Sequence, residues 1–333
     1  MPLSTWRNVV SGSAPERLSF GIGSLLVFSL LSAGNEVFVA NRLQSIDYVT
    51  LLLLVFLPTS VLFVMLQLHR WRAFLRQLVA DRRDVLLVNL LTAVSWFGFF
   101  LGLRYVEPAI VAAIVVGIGP VVMLLVARVL RPASVIRATD LIAAVGIIVA
   151  LGLLTEGAVS GRTAVHQAPA PLEALGVGAA LVSGISTAVA ILYTKRLYDR
   201  SWSPDAVMAV RFWALVLATA AAVLIIRPTV VWSTVTWVSI AIIVSAGTIA
   251  PLYLFQLGVK HVEPVAVAII AGAAPVFTVA LQLLDPRLHW SALSIVGVTV
   301  TAACITLMVV AAHRGPQHGA RAPADDASTL GAP

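Results

Sequence analysis

Inside the long apolar runs of this 333-residue chain, few residues can do chemistry. Glu36 follows Asn35 in one run, and Arg211 interrupts another. A charge at mid-membrane costs about 2.5 kcal/mol or more, so each is a functional candidate. Glu36 could exchange protons or contact a cationic or amino group of a solute; its bland alternatives are snorkelling to the outer surface or pairing with Arg42. Arg211 could hold a carboxylate or brace neighbouring helices. Trp96, Ser183, Ser186, Thr187, Tyr193, Thr248, Tyr253 and Gln256 add aromatic faces, hydroxyls and amides that suit a small amphipathic organic solute. Each alone is also ordinary interhelical packing or hydrogen bonding. Trp232 and Trp237 read as interfacial anchors.

Several chemistries lack their residues. His69, His166, His261, His289, His313 and His318 are scattered, and Asp325 and Asp326 stand in the tail. There is no clustered metal set, no paired carboxylate for metal-bound diphosphate and no Walker-type glycine loop. Cys304 is the only cysteine, so neither a disulfide framework nor a cysteine metal site can form. No catalytic residue, metal or cofactor is expected. An integral membrane enzyme acting on lipid or prenyl substrates, or a channel, is the alternative reading.

The elements that must position the polar residues are membrane helices. The chain is 60% hydrophobic and 11% charged, which makes lipid the solvent. About 20 apolar residues cross a bilayer core. Ten spans are expected, at 18–40, 47–68, 85–103, 108–130, 139–156, 172–194, 205–226, 234–256, 264–284 and 290–312. The first is flanked by Arg7 and Arg17 and is too long for a signal peptide, so it reads as a retained helix. The fold class is all-α membrane protein, with short loops between spans and a polar, unfolded tail at 313–333.

The net charge of +7 does not point to nucleic acid, because the basic residues sit between spans. With the N-terminus inside, sixteen lie on the cytoplasmic side: Arg7, Arg17, Arg70, Arg72, Arg76, Arg82, Arg83, Arg128, Arg131, Arg137, Lys195, Arg196, Arg200, Lys260, Arg314 and Arg321. Arg42, Arg104, Arg162, Arg227 and Arg287 lie opposite. The positive-inside rule then places both termini in the cytoplasm.

Leu101-Gly-Leu-Arg-Tyr-Val-Glu-Pro108 recurs as Leu257-Gly-Val-Lys-His-Val-Glu-Pro264. This is an internal duplication. Each copy joins two spans, the third to the fourth and the eighth to the ninth, so the chain divides into two five-span halves. Five is odd, so the halves should be inverted, a recurrent plan of secondary transporters. The expected layout is a first repeat at 18–156, a non-cytoplasmic linker at 157–171 and a second repeat at 172–312. Glu107 and Glu263 precede Pro108 and Pro264 and read as helix-capping residues, with substrate contact as the alternative. Pro120 and Pro275 follow those prolines by 12 and 11 residues, about 16–18 Å into their spans. Matched prolines near the midplane mark a candidate central site, with Gly117, Gly119, Gly272, Ala273 and Ala274 permitting close approach. Pro58 and Pro251 read as isolated transmembrane prolines.

The ten spans, the odd-numbered halves, the Leu-Gly-Val-Lys-His-Val-Glu-Pro junction, Pro275-Val-Phe and Tyr193-Thr-Lys-Arg-Leu197 together resemble the drug/metabolite transporter superfamily, in the branch built from two EamA domains. The resemblance covers about 18–312. It implies a cavity lined by the first, third, fourth, sixth, eighth and ninth spans, with the fifth and tenth peripheral, and export of amino acids, metabolites or drugs across the plasma or inner membrane. Val210-Arg211-Phe212 is similar to a pattern of the seventh span, whereas the second span reads Phe56-Leu57-Pro58 without arginine. Asn35, Glu36, Trp96, Pro120, Ser186, Arg211, Tyr253, Gln256 and Pro275 are the candidates for substrate contact or coupling. The expected partners are a small-molecule substrate and the lipid bilayer, with no nucleic acid; a homodimer is compatible with the sequence.

Overall fold

The computed structural model describes residues 14–42, 46–130, 138–160, 169–262, 267, 270–282 and 292–314. Every regular element among them is a helix. In order these are α1 Ala14–Arg42, α2 Tyr48–Gln67, α3 Trp71–Ala80, α4 Arg82–Tyr105, α5 Pro108–Leu130, α6 Ala138–Val159, α7 Ala170–Asp199, α8 Pro204–Val210, α9 Trp213–Ile226, α10 Thr234–Val244, α11 Ala250–His261, α12 Ala274–Gln282 and α13 Ala292–Arg314. Glu263 and Pro264 of the second repeat copy, most of the 157–171 linker and the tail beyond Arg314 lie outside the described residues. So do Arg7, Arg131, Arg137, Arg162, Arg287 and Arg321 of the charge count.

Among the described residues, seven helical segments are long and apolar enough to cross a membrane: Leu18–Ala40, Tyr48–Ala80, Arg82–Tyr105, Pro108–Val126, Ala170–Asp199, Pro204–Ile226 and Thr234–His261. Two shorter apolar stretches, Leu141–Gly157 and Ile295–Cys304, fall where the fifth and tenth spans are expected. The expected ninth span is described in part, through α12. The chain is thus a multi-pass integral membrane protein.

Helix starts follow capping chemistry. Asp47 accepts from the amides of Val49 and Thr50 at 3.0 and 3.2 Å, starting α2. Ser203 accepts from Ala206 N–H ahead of Pro204, the first residue of α8.

Three features depart from the expected elements. The stretch between the second and third spans, expected as a loop, contains α3, whose apolar residues share one face. The seventh span, expected as continuous over 205–226, is split at Arg211–Phe212 between α8 and α9. The eighth runs past 256 to His261 and contains a π-helical turn at Ser245–Ile249, where Ala250 N–H reaches back five residues to Ser245 O. Proline explains the last: Pro251 has no N–H for the Gly247 carbonyl and its ring crowds that carbonyl, so the ladder widens just before it.

Glycines set the closest approaches. α4 and α7 pack antiparallel, and a Cβ at Gly98 would lie 2.5 Å from Ala179 O. α6 packs on α13, with the Cys304 Sγ 2.7 Å from where a Gly146 Cβ would be.

The two repeat copies make equivalent contacts. Val106 N–H bonds to Gly102 O at 2.8 Å, and Val262 N–H bonds to Gly258 O at 2.8 Å. Tyr105 and Val106 close over Gly176 near the start of α7, just as His261 and Val262 close over Gly21 near the start of α1. At the far end of α7, Lys195 Nζ donates to Val259 O at 3.2 Å, beside the second copy. Gly176 and Lys195 are nineteen residues apart in one helix, about 28 Å. The copies therefore sit at opposite ends of α7, roughly a bilayer core apart.

Near the second copy the chain is tied across helices. Asp81 accepts from Arg200 at 2.5 Å and from Trp202 Nε1 at 2.8 Å. Gln67 at the end of α2 donates to Asp205 of α8 at 2.7 Å.

Candidate functional site

A cavity of about 180 Å³ between the helices is mostly apolar, walled by Phe28, Phe99, Val115, Leu252 and Phe255. It is lined by α1, α4, α5, α7, the α10–α11 segment and the residues Val267, Ala271 and Ala274, with Arg211 from the α8–α9 break. Among the described residues, none of the lining comes from α2, α6 or α13, the expected second, fifth and tenth spans. The lining thus follows the pattern that the family resemblance implied, with one addition, Arg211.

Glu36 lines this cavity from α1 and is buried. Thr278 of α12 donates to its Oε2 at 2.7 Å, an arrangement unlike an outward-snorkelling carboxylate. Neighbouring Asn35 lies against Gly247 of the π-helical turn; a Cβ at Gly247 would overlap the Asn35 amide, so any larger residue there would displace the Asn35 side chain. Two sequence features first met as separate, Asn35 and the region before Pro251, thereby form one wall.

Arg211 is 9% exposed. Its Nη2 donates to Thr92 Oγ1 of α4 at 3.4 Å, its guanidinium lies 5.3 Å from the Phe212 ring centroid, and its Nε has no hydrogen-bond partner. A buried guanidinium with an unused donor is costly unless something else accepts from it. Arg211 stands at the break between α8 and α9.

Trp96 lines the cavity and is held by the Phe56 ring at 4.7 Å and the Phe99 ring at 5.5 Å. Beside it Ser95 is 2.5 Å from Thr187 and 3.4 Å from Ser183, a hydroxyl cluster across the α4–α7 contact.

The remaining candidates stand behind the wall. Pro120 and Pro275 do not line the cavity, but the residues four before them, Val116 and Ala271, do. Each proline lacks the N–H that would serve that carbonyl. The two sites differ in local form: α5 runs unbroken through Pro120, whereas Pro275 is the second residue of α12, just after a turn at residues 272–273. Ser186 is buried outside the lining, one residue from Thr187. Tyr253 stacks on Phe63 at 5.9 Å. Gln256 is fully buried and accepts from the Tyr198 hydroxyl at 2.5 Å, so it ties α11 to α7. Neither residue is part of the lining. Glu107, read as a cap, accepts from Gln282 Nε2 at 3.4 Å, and the Ala109 amide of the α5 N-terminus is taken by Gln282 Oε1 at 3.2 Å. That start of α5 is therefore fastened by α12.

Sequence reasoning did not single out Ser32, Thr92, Ser95, Gly247 or Thr278. Serine and threonine are common in buried membrane helices and often bond to the carbonyl four residues back, as Thr59 does to Val55 at 2.7 Å. Nothing in their spacing separates lining from packing.

No curated protein matches the chain. The fold is similar to a solved crystal structure at a TM-score of 0.59 and 16% identity, covering 91% of this chain and 99% of the other. At that identity the likeness is one of fold. Residues 174–310, which begin within α7 and end within α13, match the EamA-like transporter family.

Proposed function

We propose that the protein is a secondary transporter of the drug/metabolite transporter type, moving a small organic solute by alternating access around the cavity that Glu36 and Arg211 share. One observation carries this reading: the Glu36 carboxylate, from the unbroken α1, and the Arg211 guanidinium, from the break between α8 and α9, line the same mostly apolar cavity, whose wall also includes Gly247 of the π-helical turn. Irregular backbone at membrane depth is tolerated where it is packed in protein or lines a cavity. The match of residues 174–310 to a transporter family agrees with it.

Ten spans in two inverted five-helix repeats, 18–156 and 172–312, form the two-EamA-domain architecture of the proposal. Its support is the recurrence of the Val106–Gly176 contact as Val262–Gly21 at the opposite end of α7. The packing pairs exchange in the same way: α4 on α7 recurs as α11 on α1, and α5 on α7 as α12 on α1. Both termini are cytoplasmic, the membrane is the plasma or inner membrane, and export is the direction, which rests on the family resemblance. Amino acids, related metabolites and drugs are the substrate classes in view, and Glu36 is the coupling candidate.

A screen of efflux or resistance against amino acids, nucleosides and toxic cations in an overexpressing strain tests the proposal. Export of at least one solute that Arg211→Gln weakens at normal expression supports it; no solute exported by well-expressed protein contradicts it.

A further inference from the structure

Helix α3 carries two parallel stripes. Trp71, Leu75 and Val79 recur every fourth residue and are 41%, 38% and 64% exposed. Phe74 is buried instead, edge-on to the Trp202 ring at 6.3 Å, and fixes which face turns outward. At 100° per residue the five residues Phe74, Leu78, Trp71, Leu75 and Val79 share an arc of roughly 140°, and Arg72 and Arg76 lie just beyond its exposed edge. α2 already spans about 30 Å with its twenty residues, so α3 starts where the hydrocarbon ends.

The charges at this elbow divide into two sets. Arg196 and Arg200 are held by Asp84 and Asp81, at 3.8 and 2.5 Å. Arg70, Arg72, Arg76, Arg82 and Arg83 are exposed and, among the described residues, have no carboxylate within 4 Å. Five uncompensated guanidinium groups beside an unpartnered apolar stripe, at headgroup depth, match an anionic lipid surface in charge, polarity and position. A soluble acidic partner would answer the arginines and leave Trp71, Leu75 and Val79 exposed.

We propose that α3, with Arg82 and Arg83, is a docking surface for anionic phospholipid: Trp71, Leu75 and Val79 enter the upper acyl region while Arg72 and Arg76 engage headgroup phosphates. The surface stands apart from the cavity and does not depend on the transport reading.

The test uses full-length protein carrying Cys304→Ser, with an environment-sensitive fluorophore on Leu75→Cys or, on the opposite exposed face of α3, on Ala73→Cys. Each is placed in nanodiscs containing brominated phosphatidylglycerol or brominated phosphatidylcholine at equal fraction. The Leu75 probe is expected to be quenched more strongly by phosphatidylglycerol, and the Ala73 probe to be quenched weakly by both. That headgroup preference falls about fivefold for each of Arg72→Gln and Arg76→Gln. Arg72→Lys and Arg76→Lys keep it, which separates lost charge from lost folding. Equal quenching by the two lipids, equal quenching of the two probes, or an unchanged preference in the Gln variants overturns the proposal. So does soluble glycerol phosphate reproducing the effect in phosphatidylcholine discs, which would assign the arginines to free phosphate.

Discussion

Thr278 Oγ1 donates a 2.7 Å hydrogen bond to Glu36 Oε2, joining α12 to α1 at the cavity wall. A carboxylate accepting one such bond and facing a cavity on the other side is placed to gain and lose a proton as the cavity changes access. Glu36→Gln keeps the size and an acceptor oxygen but cannot titrate, so the pH dependence of transport in proteoliposomes should disappear. Thr278→Val keeps the carboxylate and removes the donor, so the pH profile should move but persist. An unchanged profile in Glu36→Gln at normal expression rules out Glu36 as the proton site.

Arg211 offers a second, separable effect. Its Nε is unused and its Nη2 bond to Thr92 is long at 3.4 Å, so a solute carboxylate would be its strongest acceptor. Arg211→Gln should raise KM for an anionic or zwitterionic solute about tenfold or more, corresponding to about 1.5–3 kcal/mol for a charged hydrogen bond. Arg211→Lys should fall between, because a point charge replaces a planar fork. A KM unchanged from the unsubstituted protein in both variants would leave Arg211 as a brace.

Close packing predicts opposite outcomes for two glycines of the same contact region. Gly98→Ala drives a methyl to 2.5 Å from the Ala179 carbonyl oxygen, whereas Gly178→Ala meets nothing within 4 Å. Thermal unfolding in detergent should show Gly98→Ala destabilised by about 1–3 kcal/mol and Gly178→Ala unchanged or slightly stabilised.

The Tyr198–Gln256 bond is buried between α7 and α11, and Gln256 Nε2 has no partner. Tyr198→Phe strands the Gln256 oxygen as well and should cost about 1–3 kcal/mol. Adding Gln256→Leu should recover most of it, because no buried amide then remains to satisfy. Additive losses in the double variant would mean that the two residues act separately.

Much of this architecture was legible in the residues, because lipid demands long apolar runs and a duplicated motif carries its contacts with it. Val106 and Val262 were marked as equivalent by the repeat, and they close over Gly176 and Gly21 alike. Asn35, Glu36, Trp96 and Arg211 were legible as polar or aromatic interruptions, and all four line the cavity. Tyr253, Gln256 and Ser186 carry the same signal but stand behind the wall, since composition does not say which way a helix turns. α3 was missed because ten residues with two arginines look like a loop when only membrane-length runs are sought, although their period is helical. Pro251 looked incidental because its consequence, a π-helical turn that opens room for Asn35 over Gly247, depends on a partner helix more than 200 residues away.

The central claim is that one cavity binds a solute and exposes it to each side in turn. Counterflow in proteoliposomes tests it most directly: vesicles preloaded with an exported solute and diluted into a trace of labelled solute should accumulate the label transiently, with saturable initial rates. Flux that rises linearly with concentration, without transient accumulation, would contradict a carrier and indicate a channel.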